Sequence, residues 1–112
     1  MFKMEIAFDE EKIERENKYD LAKMWAKVDE FMLGKYKLKK TAPGVYSDYP
    51  GYDGLGLFMA FATRFEDHDW FLFNLKKWDL LEIDMDYPED IYREDWLTAK
   101  LKRRRLESKK GA

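Results

Sequence analysis

The 112-residue chain has one histidine and no cysteine, and the histidine stands in Glu66-Asp67-His68-Asp69. A run of carboxylates around an imidazole has the chemistry to bind a divalent cation or carry a proton. Four adjacent side chains do not converge on one point, however, and metal ligands are usually gathered from separate segments. A polar turn is therefore the expectation here. The absence of Cys removes disulfides, thiolate metal sites and a cysteine nucleophile together, and it suits a reducing, cytoplasmic setting. A Ser-His-Asp arrangement would have to pair His68 with Ser47 or Ser108, neither of which stands in a nucleophile-elbow context. Asp and Glu are abundant, but no pair stands out as a buried, pKa-shifted acid. A small carboxylate-based enzyme is thus the last-ranked function class, and no catalytic residue, metal or cofactor is assigned.

A second constellation is Tyr46, Tyr49 and Tyr52 within Val45-Tyr-Ser-Asp-Tyr-Pro-Gly-Tyr-Asp-Gly54. Tyrosine offers large contact area at low rotamer cost, and loops rich in Gly, Pro and Ser that carry it resemble recognition loops. With Tyr87 and Tyr92 from another irregular segment, these rings are candidate protein-binding residues in an aromatic patch flanked by carboxylates. The competing reading is that they lid the core edge with their hydroxyls wet. Gly51-Tyr-Asp-Gly54-Leu-Gly56 has a superficial likeness to a phosphate cradle. It matches neither the dinucleotide fingerprint nor the P-loop, and Asp53 at the start of the following helix would occupy the N–H groups a phosphate needs.

Charge supplies the third constellation. Net charge is only -2, but residues 66 to 95 carry 3 basic against 11 acidic side chains and residues 96 to 112 carry 7 against 1. The middle is therefore strongly acidic and the end strongly basic, while the first 65 residues balance. Lys100, Lys102, Arg103, Arg104 and Arg105 are candidate nucleic-acid-binding residues, through salt-sensitive contact with phosphates. The helix macrodipole alone favours acids before that segment and bases at its end, which offers a purely structural account of the same pattern.

Elements must position these residues. Met4, Ile6 and Phe8 alternate as a strand, and Asp9, Glu10 and Glu11 open a short helix. Leu21, Met24, Trp25, Val28, Phe31 and Met32 recur at helical spacing, with Asp20 as N-cap and Gly34 as the expected stop. A hairpin is expected through Tyr36 to Lys40, the turn Thr41 to Gly44 and Val45-Tyr46. Asp53 caps a second helix, apolar nearly all round through Leu55, Phe58, Met59, Phe61, Ala62 and Phe65. Two strands, Trp70 to Leu75 and Trp78 to Met85, are expected to join near Lys76-Lys77, with a helix over Trp70 to Leu81 as the alternative. Asp86 to Asp90 marks a loop or helix start, and Asp95 to Leu106 reads as the last helix, followed by fraying over 108–112.

Hydrophobic residues at 46% and aromatics at 17% are enough for one core, so residues 1–107 are expected to form a single α+β domain. Its expected architecture is a mostly antiparallel sheet of four to five short strands with two helices on one face and a basic C-terminal helix. The longest uncharged, mainly apolar run, Gly54 to Thr63, is about half a membrane span, and the N-terminus lacks a basic-then-apolar leader pattern. The favoured function is a non-catalytic protein-binding or regulatory module, immunity- or inhibitor-like, in the manner of bacterial accessory proteins. It would meet a basic or amphipathic protein partner through the aromatic loop and the acidic segment. A nucleic-acid-associated accessory role is the alternative, and head-to-tail pairing of unlike poles leaves a homo-oligomer open.

Overall fold

Residues 1–111 are described by the structure, a computed structural model, with side chains through Lys109. Strand β1, Phe2–Phe8, has the alternation the sequence predicts: Met4, Ile6 and Phe8 are buried and Glu5 and Ala7 point the other way. Asp9 then caps α1, Glu10–Glu16, by accepting from the Lys12 amide, and the helix contributes only Ile13 to the core. Helix α2, Leu21–Asp29, starts at Asp20, whose carboxylate accepts from the amides of Ala22 and Lys23 at 2.9 and 3.3 Å. These bonds satisfy two of the donors a helix start leaves open.

Gly34 does not stop this helix. The backbone widens into a π-helical segment, Glu30–Lys35, that carries through Gly34 and ends when the Tyr36 amide reaches back to the Phe31 carbonyl at 2.8 Å. The wider turn keeps Phe31 and Met32 both in the core, and Lys37, at φ 56°, supplies the reversal expected of the glycine. Strands β2, Lys39–Ala42, and β3, Val45–Ser47, form the expected hairpin. Helix α3, Gly54–Phe65, buries Phe58, Phe61, Ala62 and Phe65 behind its Asp53 cap.

The segment after α3 departs from both readings of the sequence. Asp69–Leu72 is a single helical turn, α4, and Leu75–Ile83 is one continuous strand, β4, with Lys76 and Lys77 inside it. The corner is closed by Asn74, buried, whose Nδ2 donates to the Trp70 carbonyl at 2.8 Å. A further strand, β5, Ile91–Asp95, occupies a stretch for which the sequence predicts no element, between the loop of Asp86 to Asp90 and the last helix. Asp95 caps the last helix, α5, Trp96–Gly111, by accepting from the Thr98 amide and hydroxyl at 3.0 and 2.6 Å, bonds that hold its carboxyl below the ordinary range. The fraying expected over 108–112 lies partly outside the described residues, which end at Gly111.

The five strands pair antiparallel in the order β2-β3-β1-β4-β5. Register puts Met4 opposite Tyr46 and Leu80, and Ile6 opposite Trp78, on the face the helices cover. Trp78 is fully buried, packs edge-on against Phe61, Phe71 and Trp96, and donates its indole N–H to the Met4 sulfur at 3.2 Å. The opposite face is closed by ions in place of helices. Arg93 reaches Asp79 at 2.6 Å and Glu5 at 3.1 Å, and Lys77 joins Glu5. Burial pushes the Glu5 carboxyl up, but the bonds from Arg93 and Lys77 outweigh it and hold the group below its ordinary value. Sequence alternation thus built a one-sided α+β domain, as expected from composition.

Candidate functional site

The hairpin tip between β4 and β5 and the loop between β3 and α3 come together at one end of the sheet. The loop side forms a cleft of about 290 Å³ walled by Phe2, Tyr49, Pro50, Tyr52 and Leu55, with Asp48 and Asp53 also lining it. A second, shallower hollow of about 690 Å³ lies over the tip, among Glu82, Asp84, Glu89, Asp90, Ile91 and Tyr92. Met85, 59% exposed, lines both, so the two hollows form one continuous surface. The Ile83 amide donates to the Met1 carbonyl at 2.8 Å, which extends the β1–β4 ladder and stiffens the floor between them. No Lys or Arg lines either hollow among the described residues.

The five candidate tyrosines divide into three groups. Tyr46 does not belong to the surface: period-two alternation in β3 turns it into the core, where it is fully buried and its hydroxyl donates to Asp29 Oδ1 at 2.5 Å. Burial, and then the Asp29 carboxylate, push its hydroxyl well above the ordinary tyrosine value. Tyr49 and Tyr52 are half-buried and stacked with ring centroids 4.5 Å apart. Their hydroxyls donate to the carbonyls of Lys37 and Tyr36, so the pair seals the end of the π-helical segment while its outer edge walls the cleft. Tyr87 and Tyr92 are 60% and 61% exposed, and Tyr92 reaches the hollow over the tip.

Loop shape depends on one close approach. Asp48 is buried, its Oδ1 accepts from the Phe2 amide at 3.1 Å, and its side chain lies against Gly54, where a Cβ would come within 2.3 Å of the Asp48 Cβ. Burial raises the Asp48 carboxyl above its usual range; the Phe2 N–H offsets part of this and neighbouring Asp53 adds to it. Asp53 itself accepts from the Gly56 amide at 3.1 Å, as expected of a cap that excludes phosphate.

Most of the basic C-terminal candidates have intramolecular partners. Lys100 Nζ lies 2.8 Å from Glu66 Oε2, an ion pair without hydrogen-bond alignment, and Arg103 reaches the other Glu66 oxygen at 3.5 Å. Arg104 pairs with Asp69 at 2.7 Å and donates to the Glu66 carbonyl at 3.1 Å. Lys102 and Arg105 are exposed, with no carboxylate partner among the described residues. The Glu66-Asp67-His68-Asp69 turn thus anchors α5 to the corner after α3, a role that spacing alone did not reveal. Glu66 is only 13% exposed at its side chain, so replacing it with Ala leaves Lys100 uncompensated at a packed junction, while Arg103 keeps Glu107 at 3.3 Å. Glu66→Ala should cost about 1–2 kcal/mol and speed hydrogen exchange selectively in α5. Uniform exchange across all helices would show that the anchor carries no local stability.

No group of three or more His, Asp or Glu side chains is placed to hold a metal ion among the described residues, and no described helix is long and apolar enough to cross a membrane. What the fold and surface define is a small α+β domain with a five-stranded antiparallel sheet, covered by helices on one face, with two adjoining hollows at its acidic, aromatic-walled end. Comparison with family models, with curated proteins and with solved structures gave no match.

Proposed function

We propose that the Met85 end of the sheet is a protein-binding surface for a basic or amphipathic partner, and that the protein is a non-catalytic regulatory or inhibitor-like module of the cytoplasm. The observation that carries this reading is the position of Met85, an exposed apolar side chain shared by a largely apolar and aromatic cleft and a hollow edged by carboxylates. An apolar anchor beside a cluster of carboxylates suits a partner that approaches under electrostatic steering and docks an apolar side chain. Methionine adapts its shape to what it meets, and the stacked Tyr49–Tyr52 pair gives a rigid wall beside it. The nucleic-acid reading of α5 has only Lys102 and Arg105 free to serve it among its five candidates.

An amphipathic Lys/Leu helical peptide serves as the probe, with binding followed by amide chemical-shift changes. Shifts should concentrate at residues 48–55, 82–86 and 89–92 and weaken as salt rises. Met85→Asp and Tyr92→Ala, both at exposed positions, should each weaken binding roughly tenfold, the scale of an interface anchor. Shifts confined to other surfaces, or affinity indifferent to both substitutions, would remove the reading.

A further inference from the structure

The first 65 residues carry no net charge, yet their cations are not spread evenly over the surface. The outer side of α2 and the start of α4 frame an open groove of about 540 Å³ lined by Lys18, Tyr19, Lys23, Lys27 and Trp70, with the Asp20 cap and buried Met24 also contributing to its lining. Lys23 and Lys27 stand one helical turn apart on a single helix face. From Lys27 the positive surface continues past Phe31: the Lys27 and Lys35 ammonium groups lie 5.6 and 4.6 Å from that ring centroid, and the Arg64 guanidinium lies 5.1 Å from it. Three cations thus crowd around one buried ring, contributed by α2, the π-helical segment and α3.

Carboxylates do little to compensate this cluster. Lys27 pairs with Glu30 at 3.3 Å, but Lys18, Lys23, Lys35 and Arg64 have no carboxylate within ion-pair distance among the described residues. One acid, Asp20, lines the groove itself, and it and its neighbours are already bonded. Asp20 is engaged with the amides that open α2, Asp29 pairs with Lys40 and Tyr46, and Glu66 and Asp69 pair with α5. Crowded like charges repel and raise the local positive potential, which draws in anions. At the groove's end are rings able to stack: Tyr19 is 44% exposed with no hydrogen bond to hold it, and His68 lies nearly parallel to half-buried Trp70 at a centroid distance of 6.0 Å. A row of cations leading to open aromatic faces is what a single strand needs, phosphates on the row and a base on the rings. A duplex would hide its bases from those rings.

We propose that the outer side of α2, with Arg64 and Trp70, binds single-stranded nucleic acid. This surface is distinct from the Met85 end and from the exposed side of α5, so its success or failure leaves the protein-binding reading untouched. The test is fluorescence anisotropy of labelled oligo(dT), repeated over a salt series. Binding should weaken with salt, and the slope of log affinity against log salt should flatten by about 0.7 for each of Lys23→Ala, Lys27→Ala and Arg64→Ala. Tyr19→Ala removes an exposed ring that fills no core position, and should cost roughly tenfold in affinity at constant salt slope. Lys102→Ala with Arg105→Ala on α5 should change neither quantity. The proposal is overturned by absence of binding at low salt or by insensitivity to the three α2-side cations. Equal competition from a duplex or from poly-glutamate would also overturn it, since that would reduce the surface to a general anion attractor.

Discussion

Tyr46→Ala should destabilise the protein by about 4 kcal/mol, a large share of the stability of a domain this size, while Tyr49→Ala should cost about 1 kcal/mol or less. The first substitution empties a fully buried site opposite Met4 in the centre of the sheet, and large-to-small changes of this kind typically cost about 3–5 kcal/mol. The second removes a half-buried ring whose hydroxyl donates at 3.2 Å to a carbonyl at the surface. Tyr46→Phe separates packing from polarity. It keeps the ring and deletes the hydrogen bond to Asp29, for a loss of about 1.5–3 kcal/mol, because the acceptor is charged. Urea titration of the three variants checks the order; a Tyr46→Ala cost below that of Tyr49→Ala would contradict the full burial of Tyr46.

The same residue sets an alkaline limit on stability. Folding raises the Tyr46 hydroxyl above its ordinary value, so the unfolded chain releases that proton at lower pH than the folded one. The contribution is complete below about pH 10, the unfolded tyrosine value, and declines as pH rises beyond it by up to about 1.4 kcal/mol per pH unit. Tyr46→Phe should flatten this alkaline decline. An identical slope in the variant would mean that other groups govern it.

Legibility from sequence followed how strongly one periodicity dominated a segment. Helices α2 and α3 have apolar stripes and Asp caps at Asp20 and Asp53, and both lie where spacing put them. The run Trp70 to Leu75 misled because it is apolar except for Asn74: Phe71 and Leu72 are both buried and Phe73 is 42% exposed, a pattern made by one helical turn rounding a corner. Strand β5 gave no signal at all. Its five residues are exposed, so no face is marked by alternation; pairing with β4 and the Arg93 bridges to Asp79 and Glu5 define it, and both are long-range.

Among the site residues, Tyr46 carried a legible signal that its neighbours obscured. Val45-Tyr46-Ser47 is a strand, and the period that turns Met4 inward in β1 turns Tyr46 inward opposite it. Identity of residue type with Tyr49 and Tyr52 masked the difference in environment. The α2 cations were hidden for another reason. Summed over the first 65 residues they cancel against acids that, in space, serve as caps or pair elsewhere. Net charge by segment discards the direction in which each side chain points, and only the i, i+4 spacing of Lys23 and Lys27 was available to suggest a face.

Gly44→Ala should be the most damaging single-methyl change, at about 3 kcal/mol, a fall of roughly 15 °C in Tm. Gly44 has φ +73°, and a Cβ there would lie 2.1 Å from the Ile6 carbonyl oxygen, a backbone atom of the central strand that cannot swing aside. Relief requires the β2–β3 turn to lift from β1, which breaks the bond from the Ile6 amide to the Gly44 carbonyl at 2.8 Å and loosens the packing beneath Trp25. Gly34→Ala provides the internal contrast. It adds the same methyl at a negative-φ position with nothing within 4 Å, so alanine's helix preference should stabilise by about 0.5–1 kcal/mol. Opposite signs from one chemical change would show that contact and backbone conformation decide the outcome at Gly44. If both variants melt together, the hairpin does not press on β1 as closely as the Ile6–Gly44 bond requires.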